Sequence, residues 1–172
     1  MAISQSVLIS KSGSYRQSLY ESLQKSASAG LVKSAFLCHS HKDETIVKGL
    51  IVLFQEQGID LYIDWKDHTM PETPDAETAK RIQDAIRSRD LFLFLATANS
   101  KASRWCPWEI GYADSNRRRI YIIPTADGAG TYGNEYLQLY AYIDEGSTGT
   151  KKGLGIFAVG RTQGEWLTEG NL

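Results

Sequence analysis

The sequence predicts an α/β protein of the doubly wound, flavodoxin-like class: a five-stranded parallel sheet in the order 2-1-3-4-5 with helices on both faces. Three observations predict it. From residue 33 onward, short apolar runs alternate with segments of helical periodicity. One of those runs, residues 91–96, is apolar at every position, as expected of a central parallel strand covered on both sides. The ends of the elements also carry their own punctuation, with Gly58 closing one helix and Pro124 stopping one strand.

Residues 1–33 are rich in serine, and Tyr15, Leu19 and Leu23 form only a thin stripe at helical spacing. This stretch reads as an N-terminal helical or irregular appendage, leaving residues 34–172 as the domain proper. Residues 34–38 form the first strand. Asp43 and Glu44 open a helix whose apolar positions, Ile46, Val47, Leu50, Ile51 and Phe54, share one face. Residues 59–63 form the second strand, and 64–74 a loop with two prolines. Residues 75–88 form a helix with acidic residues first and Arg87 and Arg89 last, the polarity the helix dipole favours. Residues 91–96 are the third strand. A tryptophan-rich block opens the next helix, which runs to about Asn116, and residues 120–123 form the fourth strand. The glycine-rich stretch 126–155 is less decided: residues 136–143 fit a helix or a strand, and 154–159 read as the fifth strand.

At 172 residues the default is a single domain with one well-formed core. A formal net charge of -1 gives no general attraction to nucleic acid or to anionic lipid, so neither is an expected partner. The basic run Arg117-Arg118-Arg119 falls where a helix should end and reads as a solvated C-terminus. No apolar run reaches membrane-spanning length and no secretion signal opens the chain, so a cytoplasmic location is expected. Two cysteines, Cys38 and Cys106, are too few for a disulfide scaffold.

The best functional clue is Trp105-Cys106-Pro107-Trp108-Glu109. Pro107 suits a first helical turn, because the N–H it lacks has no intrahelical partner there. Glu109 then lies near the positive end of the helix dipole, which favours its ionised form. Trp105 and Glu109 are four apart and share a face, so a flat ring and a negative charge line one pocket. Trp108 is assigned to packing. In the 2-1-3-4-5 order the switch point lies between strands 1 and 3, and ligands bind beyond their carboxyl ends. Those ends are Cys38-His39-Ser40-His41 and the segment from Ala96 to the tryptophan block, so topology and residue type indicate the same place.

Three motifs in the correct order resemble those of Toll/interleukin-1 receptor (TIR) domains of the bacterial type. Ala35-Phe36-Leu37-Cys38-His39-Ser40-His41-Lys42-Asp43 is similar to the first motif, a hydrophobic strand running into a polar loop with an acidic residue. Leu61-Tyr62-Ile63-Asp64-Trp65 resembles the second strand entering the BB loop, which includes Met70-Pro71. Trp105-x-x-x-Glu109 resembles the motif that carries the catalytic glutamate. The resemblance implies a three-layer TIR fold and cleavage of NAD at the nicotinamide–ribose bond, giving nicotinamide plus ADP-ribose, a cyclic isomer or an ADP-ribosyl conjugate. NAD is then the substrate, and no separate cofactor is implied. By the same resemblance Glu109 is the catalytic carboxylate, Trp105 packs against a base or ribose, and Phe36, His39 and Ser40 line the pocket floor. Trp65 either covers the substrate or mediates self-association. A second aromatic that some relatives carry after the fourth strand is replaced by Pro124-Thr125-Ala126, with Tyr132 or Tyr136 as substitutes. Standalone relatives of this kind act in antiphage defence of the Thoeris type, which implies self-association through TIR–TIR contacts, a phage-derived activator, and a separate effector responding to the nucleotide product.

The chemistry is consistent with one acid. Nicotinamide leaves neutral, and the charge that develops is an oxocarbenium-like cation on the ribose, which one carboxylate can stabilise. A metal site is not expected: neighbours along a strand diverge, separating Cys38 from His39, and neither CxxC nor HExxH occurs. Neither thiol comes with the histidine–acid arrangement of a catalytic cysteine. A GxxxxGK[ST] loop is absent, and the first strand does not end in the acidic residues of a phosphoryl-accepting receiver. Two alternatives stand beside the NAD-cleaving enzyme: a non-catalytic TIR–TIR interaction module, and a nucleoside deoxyribosyltransferase-like enzyme with a glutamate nucleophile.

Overall fold

The computed structural model describes residues 2–16, 33–59, 62–64, 75–168 and 170–172, with side chains described at all of these except 62–64. In chain order the elements are β1 (Ile3–Ser4), α1 (Gln5–Lys11), β2 (Ser34–Cys38), α2 (Glu44–Glu56), β3 (Tyr62–Asp64), α3 (Ala76–Ser88), β4 (Leu91–Ala96), α4 (Ala98–Ala102), α5 (Cys106–Ser115), β5 (Arg119–Ala126), β6 (Thr131–Tyr132), β7 (Ala141–Thr148), β8 (Lys151–Phe157) and β9 (Gly164–Trp166).

The sheet runs β3-β2-β4-β5-β7-β8-β9, with β1 and β6 pairing along the end of β5. Its first four strands are parallel and lie in the expected sequence of second, first, third and fourth. The expectation of five strands, all parallel, is corrected. Among the described residues the sheet has nine strands and is mixed. The fifth position is taken by β7, parallel to β5, from the stretch whose character the sequence left open. The run expected as the fifth strand instead falls in β8, antiparallel one place further out. The reason is local: Thr148 faces Lys151 across a two-residue turn, and Gly149 takes the left-handed conformation (φ 58°) that such a turn requires.

Alternation along β4 divides the core in two. Leu91, Leu93 and Leu95 face one side, where Leu8 of α1 and Val47, Leu50 and Phe54 of α2 complete a cluster. Phe92, Phe94 and Ala96 face the other, against Ile82 and Ile86 of α3 and Ile110 and Ala113 of α5. Every residue of β4 is buried, so each face makes its own core and the molecule has three layers.

Two helix boundaries follow the chemistry read from sequence. Gly58, at φ 73°, closes α2 while the N–H of Ile59 bonds back to the carbonyl of Phe54 at 3.0 Å. Asp75 caps α3 by accepting from the N–H of Thr78 at 2.8 Å, which holds its carboxyl below the usual range. The arginine run does more than end a helix. The Arg118 guanidinium donates to the carbonyls of Arg87 and Arg89, tying the end of α3 to the start of β5.

Residues 2–16 are more than an appendage. Ile3 and Ser4 pair in parallel with Thr125 and Ala126, and Ile3 and Leu8 are fully buried. The helix α1 lies so close to α2 that a Cβ on Gly49 would stand 1.8 Å from the Leu8 carbonyl oxygen. Apolar spacing could not show this, because the contact is backbone against a missing side chain. Leu19 and Leu23, the rest of the N-terminal stripe, lie outside the described residues. So do Trp65 and the Met70-Pro71 part of the loop after β3. Among the described residues no helix is long and apolar enough to cross a membrane.

Candidate active site

The strands β2 and β4 are neighbours, with Cys38 opposite Phe94, and the chain leaves them on opposite sides of the sheet. Their carboxyl ends are therefore the topological switch point. After β2 the chain turns at Ser40, whose hydroxyl accepts from the N–H of Lys42 (3.4 Å) and whose carbonyl accepts from that of Asp43 (2.9 Å). The Asp43 carboxylate, 2% exposed, then reaches across to the other strand end. It accepts from the Thr97 hydroxyl and from the Asn99 amide, both at 2.6 Å. Thr97 in turn forms a reciprocal capping box with Ser100 at the start of α4. One carboxylate thus clamps the loops after β2 and β4 together.

The helix α5 starts at the same end. Ser103 receives the N–H groups of Trp105 and Cys106 (3.2 and 3.3 Å), and Pro107 occupies the first turn as expected. The N–H of Glu109 bonds to the Trp105 carbonyl at 2.8 Å, so helical spacing carries Glu109 round to the sheet. Its side chain is 2% exposed and meets the Cys38 thiol. Burial pushes its carboxyl from 4.5 up to about 7, with the Cys38 hydrogen bond opposing weakly. The expectation of a carboxylate kept ionised by the dipole is corrected accordingly. A dipole contributes about 0.3–1 kcal/mol at exposed positions, and here the cost of taking a charge out of water exceeds it. Burial also raises the Cys38 thiol well above its ordinary range.

Phe36 is half-buried and stacks on Phe92 (5.6 Å, 17°), on the same sheet face as Cys38. His39, also half-buried, places Nδ1 2.9 Å from the Leu37 carbonyl, and Ser40 is buried in its turn. Both are engaged in bracing the strand end. Trp105 packs partly buried against the α3/α5 core and meets Trp108 edge-on at 5.6 Å. Trp108, assigned to packing, is 37% exposed and stacks on Tyr112 at 5.9 Å. Trp105, assigned to the pocket, is thus partly buried, and Trp108, assigned to packing, keeps an exposed edge while stacking on Tyr112.

A cleft of about 40 Å³ opens beside these residues, lined by Phe94, Thr97, Lys101, Pro107, Tyr132 and Tyr136 among others. Tyr136 packs on Phe94 at 5.0 Å and its hydroxyl feels the nearby thiols, so the cleft adjoins Cys38 and Cys106. Tyr132 donates to the Asp127 carboxylate at 3.0 Å. Both tyrosines foreseen as substitutes for the missing aromatic therefore reach this cleft. Glu109 itself is not in its lining. The cleft's volume is well below the roughly 300–1,000 Å³ of a ligand-sized pocket, so the part of it formed by the described residues does not by itself hold a nucleotide.

Sequence reasoning missed two features. From the sequence Cys106 is considered only as a disulfide or catalytic cysteine and set aside, yet its thiol converges with Cys38 and Glu109, all three buried and with ligand atoms within 4.8 Å of one another. No CxxC-like spacing signals this, because the partners are brought together by a sheet and a helix. The Asp43 clamp did have a signal, an acidic residue closing the first motif, but its partners 54 and 56 residues away did not.

Residues 35–152 match the profile of the TIR domain family. The chain is 29% identical over 136 residues to a protein of Bacillus cereus (strain MSX-D12) named "Probable 3' cyclic ADP-D-ribose synthase ThsB'", covering 76% of this chain and 70% of that one. It is 28% identical over 101 residues to a Cytobacillus dafuensis protein named "Putative cyclic ADP-D-ribose synthase TIR2", covering 57% of this chain and 27% of the other.

Proposed function

Because this chain belongs to the TIR domain family, we propose that it cleaves the nicotinamide–ribose bond of NAD and closes the remaining ADP-ribose into a cyclic isomer, with Glu109 as the catalytic carboxylate. The observation that carries the reading is Glu109 itself: a buried carboxylate, half-titrated near neutral pH, at the switch point of a doubly wound sheet. The names of the two relatives support the substrate and the cyclic product.

In this mechanism the C1′–N bond breaks with its electron pair going to nicotinamide, which departs neutral. The ribose is left as an oxocarbenium-like cation, and the Glu109 carboxylate stabilises it electrostatically. A hydroxyl elsewhere in the same molecule attacks C1′ and loses its proton to solvent, forming the cyclic product. Attack by water gives linear ADP-ribose instead. A bound cationic nicotinamide ribose favours the ionised form of Glu109, offsetting the burial that raises it. Substrate binding and carboxylate ionisation therefore assist each other.

Because the cleft among the described residues is too small for a nucleotide, the reading includes an opening step. Drug-sized ligands occupy pockets of roughly 300–1,000 Å³, far more than the space beside Tyr136. We place that step at self-association through TIR–TIR contacts, triggered by a phage-derived activator, with a separate effector reading the nucleotide product. Phe36, His39, Ser40, Trp65 and Trp105 are the proposed substrate contacts, which implies that the bracing of His39 and Ser40 relaxes on opening. The burial of Glu109, away from the lining of the cleft, also supports the second reading, a non-catalytic TIR interaction module. Incubating the full chain with NAD over a concentration series, with and without a crowding agent, separates them. Cyclic ADP-ribose appearing more than linearly with protein concentration supports the enzyme. NAD left intact throughout, together with concentration-dependent assembly, supports the module.

A further inference from the structure

Cys38, Cys106 and Glu109 form a donor set that NAD cleavage does not call for. Cys38 ends β2, while Cys106 and Glu109 lie three apart on α5, one helical turn that aims both at the sheet. Both thiols are free and fully buried, Glu109 is 2% exposed, and the two sulfurs and a carboxylate oxygen all lie within 4.8 Å of one another.

The chemistry selects the cation. Two thiolates and one carboxylate are soft-to-borderline ligands, suited to zinc and disfavoured by magnesium or calcium, which take oxygen. Zinc holds sulfur at about 2.3 Å and carboxylate oxygen at about 2.0–2.2 Å, with ligand atoms roughly 3.3–3.8 Å apart around a tetrahedron. The three donors, already within 4.8 Å of one another, must draw in by about an ångström to reach that spacing, with a fourth ligand completing the set.

We propose that Cys38, Cys106 and Glu109 bind a soft divalent cation of the zinc class, and that its binding shuts off NAD cleavage. The second half rests on the proposed role of Glu109; the first does not. On binding, the two thiol protons and the carboxyl proton pass to solvent, and two metal–sulfur bonds and one metal–oxygen bond form. The ion takes the lone pairs the ribose cation would need, and it pins the first turn of α5 to β2 in the closed arrangement.

The test uses the full chain, stripped of metal, with cobalt(II) as a spectroscopic stand-in for zinc. Expected are one cobalt per chain, a thiolate-to-cobalt charge-transfer band that zinc abolishes, and loss of the band in both Cys38→Ser and Cys106→Ala. No band at saturating cobalt, or a band surviving both substitutions, overturns the site. Circular dichroism on each variant shows that it is folded; should Cys106→Ala unfold, Cys38→Ser and the wild-type zinc competition decide the question. NAD turnover is then measured with and without zinc. In wild type, zinc should suppress it reversibly, with recovery on chelation, and Cys106→Ala should need at least about tenfold more zinc for the same suppression. Equal sensitivity of the two proteins overturns the inhibitory role. A cobalt band in a chain that leaves NAD intact even when metal-free keeps the metal site and removes the NAD reading instead.

Discussion

Replacing Glu109 by glutamine removes one ionisable group from the core, and the structure states what that does to stability. The carboxyl titrates near 4.5 in the unfolded chain and near 7 when folded. Below pH 4.5 it is protonated in both states and contributes no pH dependence. Between 4.5 and 7 the folded protein holds a proton that the unfolded chain has released, so unfolding gains as pH rises. Each pH unit in that window carries about 1.4 kcal/mol. By pH 8 wild type has therefore lost about 3 kcal/mol relative to pH 4.5 through this group alone. Glu109→Gln keeps the shape and a partner for Cys38 but cannot ionise, and should be spared that loss. For a chain of this length about 1 kcal/mol moves the melting temperature by about 2–4 °C, so the variant should gain roughly 6–12 °C on wild type at pH 8 relative to their difference at pH 4.5. Asp144, which burial raises to about 6, bends both curves in the same direction, so only the difference between proteins is informative. Thermal unfolding of both across pH 4.5–8 is the assay. Parallel stability curves would show that Glu109 is not desolvated as described.

Two further substitutions test the scaffold that holds this group. Gly49→Ala puts a methyl where the Leu8 carbonyl stands 1.8 Å away, so α1 must separate from α2. Urea unfolding should show a loss of about 1–3 kcal/mol, and an unchanged midpoint would place α1 elsewhere. Asp43→Ala leaves Thr97 and Asn99 without their shared acceptor. A loss of about 2–4 kcal/mol is expected from two charge-assisted hydrogen bonds in a buried site, and a loss below 0.5 kcal/mol would mean that the clamp is not formed in solution.

Much of the fold was legible because its signals are local. An uninterrupted apolar run marked β4, Gly58 and Asp75 marked helix ends, and alternation of strands and helices ordered the first four strands. The outer half was not, since a glycine-rich hairpin and a strand edge differ from a parallel crossover only in tertiary pairing. The position of Glu109 was legible for the same reason as β4: Pro107 and the helical period place it, and topology says where that helix begins. Its protonation was not. The dipole is a property of the sequence position, but desolvation depends on what covers the group, and Cys38 comes from another element 71 residues earlier in the chain. The exposure of the indoles was not legible either: a four-residue spacing shows which residues share a face, not how much of Trp105 or Trp108 the neighbouring elements leave uncovered.

The most direct measurement is nicotinamide release from NAD by wild type and Glu109→Gln at equal concentration and pH 8, each first shown to be folded and assembled alike. Release by the wild type, with a cyclic ADP-ribose isomer as the accompanying product, and release from the glutamine variant at least about 100-fold lower, is what the account predicts. Comparable release from both proteins would contradict it, because the sugar cation would then be stabilised by something other than this carboxylate.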